Sequence, residues 1–240
     1  MRPPIYTPSG AALEYAPFGL NIYDGCPHGC TYCYAAAMAK RFGKPWDGKA
    51  VVRPGLLEAL NRQLPQKEWW NAGRLVHLCF TCDPYPSFSD STATRDVIKA
   101  IKESGNHVQI LTKGGANARR DFDLLDSNDW FGVTWSGAEY VGNDEPGAAP
   151  QKVRHQNIVM AKEVYGINTW LSCEPVLEPY AIYAAIEVLD SVDVFRIGKL
   201  NHRKSGIDWA SFGRKAEALC LEYGRNYYIK EDLRKAMGAE

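Results

Sequence analysis

Apolar, β-prone runs recur along this chain at Leu20–Tyr23, Leu75–Phe80, Val108–Leu111, Trp130–Trp135, Thr169–Leu171 and Val194–Ile197. Segments of helical spacing follow them at Ala35–Phe42, Leu56–Gln63, Thr92–Lys102, Ala118–Leu125, Val153–Val164, Ile182–Leu189 and Trp209–Leu221. Strands that alternate with helices pair in parallel through crossovers, so the rhythm predicts a parallel sheet covered by helices. A closed eight-stranded barrel usually takes about 250 residues. With 240 residues and six units, the chain is expected to form an α/β fold of the partial (β/α)6 TIM-like barrel type. One domain is predicted, with a lead-in over 1–18, the barrel over 19–200, and C-terminal helices with a short strand over 201–240. The Gly- and Pro-rich stretch Gly142–Pro150 reads as a loop within it. Functional groups of such folds sit on loops at the C-terminal ends of the strands.

Charge narrows the partners. The 28 basic and 28 acidic residues cancel, so no global field draws the chain to nucleic acid or anionic lipid, and any such contact must be local. The opening MRPPIYTPSG lacks the apolar stretch of a signal peptide, and no run of about 18 apolar residues occurs. The expectation is a soluble, cytoplasmic protein without membrane contact. Seven cysteines is an odd number, and clustered cysteines in such a chain more often bind metal or do chemistry than form disulfides.

Three of them, Cys26, Cys30 and Cys33, are spaced C-x3-C-x2-C between the first predicted strand and the first predicted helix. Three thiolates on one loop can ligate three irons of a [4Fe–4S] cluster and leave the fourth iron open to a substrate or cofactor. The alternative is zinc, which as a structural metal wants four closed ligands. His28 would be the fourth, but closing such a site within so short a Pro- and Gly-containing span would be strained. Thiol–disulfide exchange would be better served by two thiols than by three.

CPHGCTYCYA resembles the cluster loop of the radical S-adenosylmethionine (SAM) superfamily, whose core is also a partial (β/α)6 barrel. HLCFTCDPYP, VQILTKGGANARRD and LSCEPVLEP resemble strand-end motifs of its spore photoproduct lyase-like branch and of related phage-associated proteins. The resemblance implies that Cys26, Cys30 and Cys33 hold a [4Fe–4S] cluster and that SAM binds the open iron. One-electron reduction then cleaves SAM to methionine and a 5′-deoxyadenosyl radical that abstracts hydrogen. Partners implied are SAM, an electron donor of the flavodoxin or ferredoxin type, and a nucleobase, nucleotide or DNA substrate. A peptide or small metabolite is the alternative substrate, and a non-catalytic metal-binding module the alternative class.

Each strand end also has its own reading. By resemblance Tyr32 contacts adenine and Asp83 the amino group of SAM, while Thr112, Lys113 and Ser136 contact ribose or carboxylate. Ser172 and Glu174 would hydrogen-bond adenosine or substrate. Read without the resemblance, Asp83 is a turn residue before Pro84, Lys113 a solvated lysine, and Glu174 an acid at a helix start. The lyase carries a hydrogen-donating cysteine where this chain has Phe80, which puts that reaction in doubt. Cys82 stands where that family has serine and is the candidate displaced donor; strand geometry would put it on the same face as Phe80, and on the opposite face from Cys79. Cys79, Cys173 and Cys220 read as core. Tyr85, and more generally Tyr85–Phe88, Trp69–Trp70 and Trp135, are candidates to stack on a base. Lys199, His202, Arg203 and Lys204, with Arg119 and Arg120, form the candidate cationic patch.

Overall fold

The computed structural model describes residues 3–201 and 203–238. In chain order its elements are β1 (Phe18–Leu20), β2 (Tyr23–Asp24), α1 (Tyr34–Arg41), β3 (Val51–Val52), α2 (Leu56–Gln63), β4 (Leu75–Leu78), α3 (Thr92–Glu103), β5 (His107–Thr112), β6 (Trp130–Thr134), α4 (Ala138–Val141), α5 (Gln151–Val159), β7 (Asn168–Cys173), α6 (Pro179–Val188), β8 (Val194–Ile197), α7 (Trp209–Glu222), β9 (Tyr227–Ile229) and α8 (Glu231–Ala236). A parallel seven-stranded sheet runs β1-β4-β5-β6-β7-β8-β9, and β2 pairs antiparallel with β3 beside it. This is the α/β partial barrel, with the short C-terminal strand as its last member.

The central strands are buried on both faces, as parallel strands under helices must be. α3 buries Thr94, Val97, Ile98 and Ile101, one face at helical spacing. Asp208 caps α7 by accepting from the Ser211 N–H at 3.1 Å, and Glu178 caps α6 ahead of Pro179 in its first turn. Inside the barrel, Trp170 lies against Gly132, where an added Cβ would fall 2.3 Å from the indole nitrogen. That indole donates to the Ile110 carbonyl at 3.0 Å.

Two differences from the sequence reading share one cause. β1 ends at Leu20 and β4 at Leu78, where the sequence reading carries these two strands on to Tyr23 and Phe80. Between them, the Asn21 side-chain oxygen accepts from the N–H groups of Phe80 and Thr81, at 2.7 and 2.8 Å. Both chains thereby leave the sheet together, so the face rule for strands does not govern Cys79, Phe80 and Cys82. Further along, the predicted helix at Ala118–Leu125 is wound as a 3-10 helix, Ala116–Leu124, and α5 continues as a π-helical turn, Met160–Val164.

The lead-in crosses the open side of the barrel. Tyr6 bridges antiparallel to Gly19 at one edge. At the other, Arg196 donates to the carbonyls of Glu14 and Tyr15, and Glu14 accepts from Tyr228 and from the Glu231 N–H. Among the described residues, no helix is long and apolar enough to cross a membrane.

Candidate functional site

A cavity of about 440 Å³ opens at the C-terminal ends of the strands. On one wall lies the loop from β2 to α1, with Cys26, Cys30 and Cys33 all partly buried and all lining the space. Cys33 immediately precedes α1, and its N–H donates to the Cys30 carbonyl at 3.1 Å. The loop is held from outside by the Gly142–Pro150 segment. The Thr31 N–H donates to the Asp144 carbonyl at 3.0 Å and the Gly147 N–H to the His28 carbonyl at 2.9 Å. A Cβ on Gly147 would fall 2.5 Å from the Pro27 carbonyl oxygen, so this close approach of two backbones requires glycine.

Asp83 lies behind the thiols and organises three elements. Its Oδ1 accepts from the Tyr85 N–H at 2.8 Å and the Thr112 hydroxyl at 2.5 Å, and its Oδ2 from the Lys113 N–H at 2.8 Å. His28 Nδ1 stands 3.4 Å from Oδ2. The Ser87 N–H donates to His28 Nε2 at 3.1 Å, which leaves the proton of a neutral ring on Nδ1, facing Asp83. Burial lowers the His28 pKa, against the opposing pull of Asp83.

Burial pushes the Cys26 thiol up to about 12, with Asp83 adding to it, and raises Cys30 against the opposing charge of Lys113. Burial by itself would lower Lys113, but Cys30 and Glu145 carry it above its ordinary value. Its Nζ lies 5.7 Å from the centroid of the Tyr32 ring. Tyr32 in turn donates its hydroxyl to Glu145, which also accepts from Ser136 at 2.8 Å and pairs with the buried Arg154. Burial would raise the Glu145 carboxyl; Arg154 and Lys113 outweigh it and hold it below its ordinary value.

The opposite wall is assembled from distant parts of the chain. Glu174 accepts from the Tyr15 hydroxyl at 2.7 Å and Asn201 Nδ2 at 3.1 Å, and pairs with Lys230. Lys230 also lies 3.7 Å from Glu14 and 4.4 Å from the centroid of the Tyr15 ring. Between the walls, His77 packs 4.4 Å from Phe80 and 5.5 Å from Tyr15, centroid to centroid. Burial lowers the His77 pKa to about 3.

The cavity therefore brings together Cys26, Cys30, Cys33, Tyr32, Cys82, Asp83, Thr112, Lys113, Glu174 and Lys199. Tyr85, Ser136 and Ser172 are buried behind its lining: Tyr85 beside Asp121, Ser136 on Glu145, and Ser172 beneath Tyr15. Of the predicted cationic patch, Arg203 is bound to Asp144 at 2.7 Å, Arg119 to Asn157, and Arg120 to Asp121. Lys204 is exposed, and His202 lies outside the described residues. Trp69 is buried, the Trp135 indole donates to the Ala181 carbonyl, and Phe88 is 99% exposed. Sequence reasoning missed Glu145, Arg154, Tyr15, Asn201 and Lys230. Only Glu145 carried a local signal, as an acid in a loop otherwise rich in Gly, Pro and Ala.

Among the described residues, no three His, Cys, Asp or Glu side chains gather as ligands of one ion do. A [4Fe–4S] cluster places each thiolate on a different iron and makes no such demand.

Sheet order and architecture define the class as a partial α/β barrel, a fold that this chain shares with two solved enzyme structures. The chain matches the structure of spore photoproduct lyase complexed with dinucleoside spore photoproduct at a TM-score of 0.66 and 12% identity, over 93% of this chain and 79% of that one. It matches Streptococcus suis SuiB bound to S-adenosylmethionine at a TM-score of 0.62 and 12% identity, over 91% and 52%. By sequence, residues 11–218 match the family described as protein of unknown function (DUF5131), and the chain belongs to that family. An uncharacterized protein of Acidianus two-tailed virus is 27% identical over 75% of this chain and 65% of its own length. One of Mycobacterium tuberculosis is 32% identical over 49% and 35%, and one of Methanocaldococcus jannaschii 27% identical over 68% and 61%. The chain thus spans less than two thirds of the length of each of these relatives.

Proposed function

We propose that the chain is a radical SAM enzyme that abstracts hydrogen from a nucleobase or nucleotide, free or within DNA. The carrying observation is the cavity itself, with three half-buried thiols of one loop on one wall and the half-buried Lys113 and buried Asp83 beside them. This donor set fits a thiolate-bound iron–sulfur cluster. Burial opposes the charge of lone thiolates, and ligation to iron together with the Lys113 cation compensates for it. In this reading Cys26, Cys30 and Cys33 hold the cluster. Bound there and reduced, the cluster would supply one electron for the cleavage of SAM, the chemistry by which hydrogen would be taken from the substrate.

Tyr32, Asp83, Thr112, Lys113 and Glu174 are the chain's means of receiving SAM. Asp83 already accepts three hydrogen bonds and faces His28, so an incoming ammonium would take the place of the His28 N–H. Ser136 and Ser172 act from behind, Ser136 by holding Glu145 against Tyr32. The rings of Tyr15, Tyr34, Trp46 and Phe80 line the space and suit a planar base, while Glu174, Asn201 and Lys199 offer hydrogen bonds to its edge. These rings also keep water from the reacting atoms. Cys82, which lines the cavity, would return a hydrogen atom; Tyr85 lies behind the lining and would act only through its neighbours. An electron donor of the flavodoxin or ferredoxin type is the expected partner.

The test is anaerobic reconstitution with iron and sulfide, addition of SAM and dithionite, and quantification of 5′-deoxyadenosine. It should form with the intact chain and vanish in Cys30→Ala. Undiminished cleavage by Cys30→Ala would overturn the assignment.

A further inference from the structure

Cys79 and Cys82 lie outside the cluster loop, yet they line the same cavity. Had β4 run on to Cys82, the two thiols would point to opposite faces. Instead the chain leaves the sheet after Leu78, and the Phe80 and Thr81 N–H groups turn onto Asn21. The C-x2-C segment turns there, and both of its thiols line one cavity instead of opposite faces of a sheet. Two consecutive amides then meet them: the Ile22 N–H donates to Cys79 Sγ at 3.5 Å and the Tyr23 N–H to Cys82 Sγ at 3.4 Å. These two amides hold each sulfur in place. The two residues differ in access, Cys79 being buried and Cys82 partly exposed to the cavity.

We propose that Cys79 and Cys82 form a redox-active dithiol, a second chemical site that exchanges electron pairs with a low-molecular-weight disulfide and thiol of the glutathione class. The accessible Cys82 enters first. Its thiolate attacks one sulfur of the oxidant, a mixed disulfide forms, the oxidant's S–S bond breaks, and one thiol leaves with the proton of Cys82. Cys79 Sγ then attacks Cys82 Sγ, closing the Cys79–Cys82 bond and releasing the second thiol with the proton of Cys79. Two electrons pass from the pair to the oxidant, and excess thiol reverses both steps. Burial makes Cys79 a poor nucleophile toward solvent species by raising its thiol well above the ordinary value. As the resolving partner, however, it acts at an effective concentration on the order of mM or more. The site requires neither cluster nor SAM.

Trypsin isolates the pair, because residues 75–95, between Arg74 and Arg95, contain Cys79 and Cys82 and none of the other five cysteines. The full chain is equilibrated without oxygen in glutathione buffers from reducing to oxidising, then unfolded in denaturant containing excess iodoacetamide so that every free thiol is alkylated, digested and weighed. The expected result is concerted loss of both alkyl labels, with a peptide lighter by two hydrogens than its reduced, unlabelled form. In Cys79→Ser, Cys82 should carry at least tenfold more glutathione adduct, since nothing resolves it. Independent labelling of the two cysteines in the unaltered chain, or full labelling of both under the most oxidising buffer, would overturn the proposal. The unaltered chain decides the matter even where the variant fails to fold. Because the readout is a peptide mass, loss of the SAM-cleavage reading would leave it standing, and its own failure would leave SAM cleavage untouched.

Discussion

The two walls of the cavity are built in opposite ways. The thiol wall comes from eight consecutive positions, Cys26 to Cys33, braced by one neighbouring loop. The carboxylate wall joins Tyr15, Glu174, Asn201 and Lys230, residues drawn from nearly the whole length of the chain. The first can be read as a motif because its spacing is its geometry. The second exists only once the sheet has curled far enough to bring the lead-in against β9. A site of this kind has a local chemical half and a topological half, and the sequence announces only the former.

The brace of the thiol wall gives the largest expected effect. Arg154 is 2% exposed and pairs with Glu145, which holds the Tyr32 hydroxyl. Arg154→Met leaves a buried carboxylate without its cation and should cost about 3–5 kcal/mol in denaturant unfolding. It should also lower iron loading on reconstitution. The double change Glu145→Gln with Arg154→Met should recover most of the stability, since the cost lies in the unpaired charge rather than in the loss of the pair. Normal stability in the single variant would mean that the wall stands without its brace.

Next comes the floor that the two walls share. His77 is buried and neutral, its pKa lowered to about 3 from an ordinary 6.5. The unfolded chain takes up a proton below about pH 6.5 and the folded one does not, so stability falls as pH drops through that window toward 3. Between pH 6.5 and pH 5 the loss should be about 1.6 kcal/mol, the slope rising from half to nearly all of about 1.4 kcal/mol per unit as the unfolded ring protonates. His77→Gln should flatten this part of the profile, measured by urea midpoints at each pH. An unchanged slope would mean that water reaches the floor and the ring titrates normally.

What could be read in advance follows the same division. α2 runs from Leu56 to Gln63 as its apolar spacing predicts, and α7 begins at Trp209, next to its capping Asp208. These are local signals that tertiary contacts reinforce. The end of β4 was not legible, because it is set by Asn21, more than fifty positions away in the chain. The placement of Cys79 and Cys82 on one cavity was lost with it. Glu145 and Arg154 were missed because charged residues in a loop and a helix read as solvated unless a partner buries them. Within the cationic patch, Arg119, Arg120 and Arg203 are taken up by partners in the chain that spacing cannot reveal, whereas Lys199 lines the cavity.

The smallest effect tests whether the walls are separable. Glu174→Gln keeps an oxygen to accept from Tyr15 and Asn201 but removes the charge facing Lys230, for which Glu14 at 3.7 Å remains as a second carboxylate. Stability should therefore fall by only about 1 kcal/mol. Iron and sulfide content should match the unaltered chain, because no contact of the thiol loop depends on Glu174, while 5′-deoxyadenosine formation should drop if this wall receives SAM. Loss of cluster loading in Glu174→Gln would show that the two walls fold as one unit. Full loading with full cleavage would move the carboxylate wall from cofactor binding to the substrate, where base-panel binding to the same variant would locate its effect.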